Sequence, residues 1–124
     1  AAPEAFCRRL DAAPDPARAI VEAGLDPDDP VALCRDALEL LVEILAGAAG
    51  DLALAYLATG GVYLGGGLTP RLLPLLRGEA FGRAFEAKGR FEALLRGVPV
   101  HAVLEPRAGL LGTAHHALER WGRE

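Results

Sequence analysis

Five glycines crowd around three apolar residues in the stretch "GGVYLGGGLTPR", residues 60–71, and Pro70 and Arg71 follow at once. Glycine surrenders the most backbone freedom on folding, so a cluster of this kind marks a backbone that must bend sharply or let something approach closely. The stretch reads as a tight turn or as a ligand seat. A short strand, a glycine turn and a helix opening at Pro70 would let backbone N–H groups and the helix dipole meet an anion or a nucleotide. The spacing is neither GxGxxG nor GxxxxGK[ST], so neither generic phosphate motif applies.

Other reactive residue types are sparse. His115 and His116 are adjacent, with Glu119 one turn from His115. Neighbouring helical residues point about 100° apart, so a metal edge of three ligands is not formed and a solvated or capping pair is expected. His101 alternates within a strand pattern, as a packed or edge residue would. Asp26, Asp28 and Asp29 lack the fuller oxygen series of a calcium loop and are expected to cap a helix. The chain contains no serine, which excludes a serine nucleophile. Cys7 and Cys34 fall on apolar helix faces with no evident histidine partner. Arg71, Lys88 and Arg90 are either surface charges or groups that reach a phosphate.

The elements that must position these residues follow from periodicity. Apolar positions from Pro3 to Ala23 recur at steps of three and four, interrupted by Pro14 and Pro16, which predicts two short helices with a break between them. Gly24 then stops a helix, and Asp29 followed by Pro30 reads as an N-cap and first helical residue. The next helix carries a broad apolar face, Val31, Leu33, Cys34, Ala37, Leu38, Leu41, Ile44, Leu45 and Ala48. It is expected to be buried and to run to about Thr59, with a kink at Gly47 or Gly50. Val62–Leu64 reads as a buried strand, and "VPVHAVLEP" as a second. Between them Pro74, Gly78 and Gly89 cut a helical pattern into two or three short helices. A last helix carries Leu110, Leu111, Ala114, Ala117, Leu118 and Trp121.

This order predicts an α/β fold, helix-rich, with about two parallel strands joined by a right-handed crossover. Residues 1–25 form a helical segment and residues 30–124 a helix-strand-helices-strand-helix unit. Two strands make a poor sheet, because parallel strands are usually buried on both faces of a larger one, so further strands are expected upstream. The absence of methionine, with Ala1 first, fits either a trimmed start or a piece of something longer.

At 124 residues with 52% hydrophobic content, the chain has enough apolar material for one domain with a core. A net charge of -4 gives no electrostatic reason to expect nucleic acid. The charge is uneven: eleven acids face four arginines up to Asp51, whereas nine bases face six acids from Leu52 onward. That split describes two differently solvated surfaces or a later half that faces an anion. The two distant cysteines suit reduced thiols, and no apolar run reaches the ~20 residues of a membrane helix. The sequence-level expectation is a cytoplasmic protein with neither nucleic acid nor membrane as partner.

Three stretches carry a resemblance. "GDLALAYLATGG", "GGVYLGGGLTPRLLP" and "FGRAFEAKGRFEALLRGVPVHAVLEPRAGLLG" together resemble the C-terminal part of bacterial glucokinases, in one register from about Leu40 to Ala117. The resemblance implies the C-terminal portion of an actin-like (ribonuclease H-like) ATPase domain, with ATP, Mg²⁺ and glucose as the cofactors and substrate of the parent enzyme. It implies that Gly65, Gly66 and Gly67 lie near the nucleotide, with lesser contributions from the helix entered at Pro70 and Arg71. Lys88–Arg90 and "AGLLG" at Ala108–Gly112 also resemble the family, in mainly structural roles.

The same resemblance implies an upstream half that holds a phosphate loop, the aspartate that accepts the sugar proton and the residues that bind glucose. None of those motifs is present here, so no catalytic residue and no metal ligand is assigned. Phosphoryl transfer rests on positioning and charge stabilisation, and the isolated chain is expected to be inactive. The alternative is a non-catalytic half-kinase acting as an interaction or scaffold module. An unpaired strand edge makes a homodimer an expectation of either reading.

Overall fold

The computed structural model describes residues 4–122; the expected helix start at Pro3 lies outside them. Helix α1 spans Glu4–Asp11 and α2 spans Pro16–Gly24. The break between them is the expected one, and Pro16 serves as the first helical residue of α2. The Asp15 carboxylate accepts a hydrogen bond from the Arg18 N–H at 3.0 Å, which satisfies one of the free donors at that helix start.

Asp29 does not cap the next helix. Helix α3 spans Ala32–Ala55, and its flanking residue Val31 offers no side-chain cap. The aspartates instead close the loop on themselves: the Asp26 carboxylate accepts from the N–H groups of Asp28 and Asp29 at 2.9 and 3.1 Å. The Val31 N–H that a cap at Asp29 would serve donates instead to the Ala23 carbonyl at 2.9 Å, and the helix starts at Ala32.

Helix α3 is the centre of the fold, yet only one stripe of it is covered. Cys34, Leu38, Val42, Ala46, Ala49 and Ala53 recur at steps of three and four and are buried. Leu40 and Ile44, on the other side, are 58% and 61% exposed. The expectation that the helix is buried is therefore corrected: one stripe of its broad apolar face is covered, and Leu33, Leu41 and Ile44 of that face are exposed. The helix runs unbroken through its two glycines, Gly47 and Gly50, and Gly50 has a packing role. A Cβ at Gly50 would lie 2.5 Å from the Phe85 carbonyl oxygen, so this glycine lets another helix approach the α3 backbone. On the α2 side Gly24 does the same, since a Cβ there would meet Leu38 Cδ1 at 2.8 Å.

The helix stops at Ala55, short of Thr59. Leu57 adopts a left-handed φ of 49°, the Ala58 N–H donates to the Ala53 carbonyl and the Leu57 N–H donates to the Leu54 carbonyl. These two bonds make a Schellman ending, with leucine where glycine is usual.

Strand β1, Val62–Leu64, pairs in parallel with β2, Val100–Ala102, with Val62 opposite Val100 and Leu64 opposite Ala102. Both strands fall where the sequence places them, but the pair is covered on one face only. Leu64 points into the core, whereas Tyr63 and His101 stack with ring centroids 4.9 Å apart on the exposed side. Between the strands come α4 at Leu73–Leu76, α5 at Glu79–Glu86, a 3₁₀ turn at Gly89–Phe91 and α6 at Glu92–Arg96. Phe81 and Phe85 of α5 and Leu95 of α6 complete the core against α3.

The helix expected at Pro70 is absent. Residues 67–72 form successive turns, with the Arg71 and Leu72 N–H groups both donating to the Leu68 carbonyl, and helix begins only at Leu73. The final helix α7, Ala108–Trp121, has no buried residue, and its Leu110, Leu118 and Trp121 are exposed. The described residues thus make a helix-rich α/β unit around one parallel pair of strands.

Candidate functional site

The two strands are parallel, so both of their carboxyl ends open on the same side, the usual place for a ligand crevice in α/β structures. From Leu64 the chain turns through Gly65, Gly66 and Gly67, all exposed. Gly66 has φ 108°, a conformation that side-chain-bearing residues rarely adopt. The turn is fastened from below: Thr69, only 6% exposed, donates its hydroxyl to the Gly65 carbonyl at 3.1 Å. From the end of β2 the Val103 N–H donates to the Leu64 carbonyl at 2.8 Å, so the exits of both strands are tied side by side.

Between these exits lies a cleft of about 530 Å³, with the three glycines and Pro70 on one side and Glu105, Ala108 and Gly109 among the residues facing them. That size falls within the range of small-molecule sites, about 300–1,000 Å³. A Cβ built at Gly65, Gly66 or Gly67 meets no atom within 4 Å. Gly24 and Gly50 are glycines because neighbouring atoms leave no room. Gly65 and Gly67 border open space, and their φ values demand no glycine.

Among the described residues Glu105 is the one charged residue that lines the cleft. Its Oε1 accepts from Arg107 Nε at 2.9 Å and from the Arg107 N–H at 3.0 Å. Those bonds, the side-chain one first, hold the Glu105 carboxyl below the usual carboxylate range. The group is an anion at neutral pH. Sequence reasoning missed Glu105 and gave Ala108–Gly109 only a structural part. The available signal was positional, since a carboxylate just past the end of a strand parallel to β1 must emerge beside the glycine turn.

The other candidates go elsewhere. An anion seat at a helix start by Pro70 is not formed, because helix α4 begins at Leu73 and is four residues long. Lys88 Nζ pairs with Asp51 at 2.7 Å, fastening the end of α5 to α3, and the Arg90 guanidinium lies 4.9 Å from the Phe91 ring centroid. Arg71 lines a separate groove with Arg18 and Glu22 of α2. His115 meets Glu119 at 3.4 Å within α7. Cys7 is exposed rather than on a covered face, while Cys34 is buried, and its thiol is pushed up by burial and then by the nearby Cys7. Among the described residues no group of three or more His, Cys, Asp or Glu could hold a metal ion. Nor is any helix among them long and apolar enough to cross a membrane.

The family model described as glucokinase matches residues 4–120. The chain belongs to the glucokinase family. It is 41% identical over 100 residues to a glucokinase of Nostoc punctiforme, which covers 81% of this chain and 29% of that relative. A glucokinase of Caulobacter sp. is 43% identical over 98 residues, 79% of this chain and 29% of its own length. One of Neisseria gonorrhoeae is 44% identical over 95 residues, 77% of this chain and 28% of its own. The chain therefore spans under a third of these curated glucokinases, and the matched region is their C-terminal part. No solved structure matches it.

Proposed function

We propose that this chain is the C-terminal portion of an ATP-dependent glucokinase and contributes the adenosine side of its ATP site. The parent enzyme transfers the γ-phosphoryl group of ATP to glucose to give glucose 6-phosphate, in the cytoplasm, on an actin-like ATPase fold. The observation that carries this reading is the pair Gly65 and Gly67: neither dihedral nor packing requires glycine there, and both border an open cleft at the carboxyl ends of two parallel strands. Bare backbone at that place lets a flat base come close.

The cleft lining supports the adenosine part of ATP over its phosphates. Among the described residues the lining is largely apolar, with no Lys or Arg and one carboxylate, a poor setting for phosphates and a good one for a nucleoside. The phosphates would lead away toward groups outside this chain, with the Mg²⁺ that accompanies ATP supplying charge neutralisation there. No described side chain is assigned to the metal or to proton transfer, so the chain alone positions nucleotide and does not turn over.

The test is isothermal titration of the 124-residue chain with Mg-ADP, repeated on Gly66→Asp and on Gly67→Val, whose backbone accepts a side chain. Saturable binding that is lost in both variants, with unchanged thermal unfolding of Gly67→Val, supports the adenosine seat. Binding unaffected by either substitution, or none to the unaltered chain, overturns it. Glucose-dependent ADP release by the chain, abolished in Gly66→Asp, would refute the inactive half-site.

A further inference from the structure

The role of Glu105 deepens the nucleotide reading and rests on it. We infer that Glu105 is a specificity residue that accepts the ribose hydroxyls of the bound nucleotide. Three observations combine. Among the described residues its carboxylate is the one charged group lining the cleft, opposite the backbone turn where the base would lie. Both of its hydrogen bonds from Arg107 fall on Oε1, and Oε2 has no partner among the described residues. The fixed oxygen sets the orientation of the group and leaves the other oxygen available to a ligand.

The chemistry then selects the ligand part. A carboxylate only accepts hydrogen bonds, so it repels phosphate oxygens and has no donor for base acceptors. A vicinal diol supplies two O–H donors, and a charge-assisted O–H···O⁻ bond is about twice as strong as a neutral one. Acidic side chains just past a parallel strand bind ribose hydroxyls in the same way in dinucleotide folds. Arg107 acts as a positioning residue that holds the carboxylate ionised and aimed.

The experiment compares Mg-ADP, Mg-2′-deoxy-ADP and Mg-3′-deoxy-ADP by titration calorimetry on the unaltered 124-residue chain and on Glu105→Gln and Glu105→Ala. Loss of the diol should weaken binding to the unaltered chain by about tenfold, the equivalent of about one charge-assisted bond. Glu105→Ala should weaken ADP by a similar factor and abolish the discrimination between ADP and at least one deoxy analogue, with Glu105→Gln between the two. Equal affinity of the unaltered chain for all three nucleotides overturns the ribose role while leaving the adenosine seat in place. So does a Glu105→Ala effect of the same size on all three. Failure of the unaltered chain to bind Mg-ADP overturns both readings together.

Discussion

Thr69 donates its hydroxyl proton to the carbonyl oxygen of Gly65 across 3.1 Å, from a position almost fully removed from solvent. A single buried side chain thereby fixes the backbone of the turn that borders the cleft. The bond is the local reason that a run of glycines, which has no side chains of its own to pack, holds one shape.

Replacing Thr69 by valine keeps the volume and removes the hydroxyl. The Gly65 carbonyl then loses its donor, and unfolding in urea should show a loss of about 1 kcal/mol. Thr69→Ser, which keeps the donor, should recover the turn geometry at the cost of one methyl group. Equal loss in both variants would show that packing and not the hydrogen bond is at work.

Gly50 and Gly47 lie in one helix and should respond in opposite directions. A Cβ at Gly50 would sit 2.5 Å from the Phe85 carbonyl oxygen, a backbone atom that cannot swing aside, so Gly50→Ala should destabilise by about 1–3 kcal/mol. A Cβ at Gly47 meets nothing within 4 Å, and Gly47→Ala should stabilise by about 0.5–1 kcal/mol through helix propensity. Thermal unfolding of the two variants checks both signs at once.

Leu57 carries the left-handed residue that ends α3, with φ 49°. Leu57→Gly should stabilise the chain by about 1 kcal/mol, since a leucine side chain is strained in that conformation and is largely exposed here. A melting temperature that falls would mean that the leucine side chain contributes more through contacts than it costs in strain.

Asp26 ties the loop before α3 to acid stability. Its carboxyl is held below the ordinary value of 3.8 by the N–H bonds from Asp28 and then Asp29. A folded pKa below the unfolded one contributes stability above pH 3.8 that disappears as pH falls through the lower, folded value. Asp26→Asn should therefore flatten the decline of stability below pH 3.8, as read from denaturation midpoints between pH 2 and 6. A slope identical to that of the unaltered chain would rule this linkage out.

Strands β1 and β2, the Pro14–Pro16 break and the punctuation at Gly89 were legible because short-range chemistry decides them: β-branched runs, missing donors and, at Gly89, freedom at positive φ. The start of α3 was not, because the three aspartates between Leu25 and Pro30 suit a local turn as well as a cap: Asp26 closes the turn on Asp28 and Asp29, and the Val31 N–H that a cap at Asp29 would serve goes to the distant Ala23 carbonyl. Pro70 misled for a related reason, as proline suits a turn as well as the first position of a helix. The apolar pattern of α3 was read correctly as a pattern and wrongly as burial. Periodicity reveals which residues are apolar, but Leu40 and Ile44 lie on the side of the helix that no other described element covers. In the cleft, glycine clustering pointed to one wall, whereas Glu105 and Ala108–Gly109 are brought opposite by the parallel register, a long-range relation that local spacing does not contain.

The parallel register also orders events in time. Val62 and Val100 are partners separated by α4, α5 and α6, whereas α2, α3 and α5 meet through helix-forming segments that need no strand pairing. Closing so long a loop for three residue pairs is slow and gains little until the helices between are docked. The strand exits that frame the cleft are therefore expected to join late in folding, and a molecule filling the cleft should act on the route out more than on the route in. It lengthens the lifetime of the closed sheet and leaves the rate of its formation nearly unchanged.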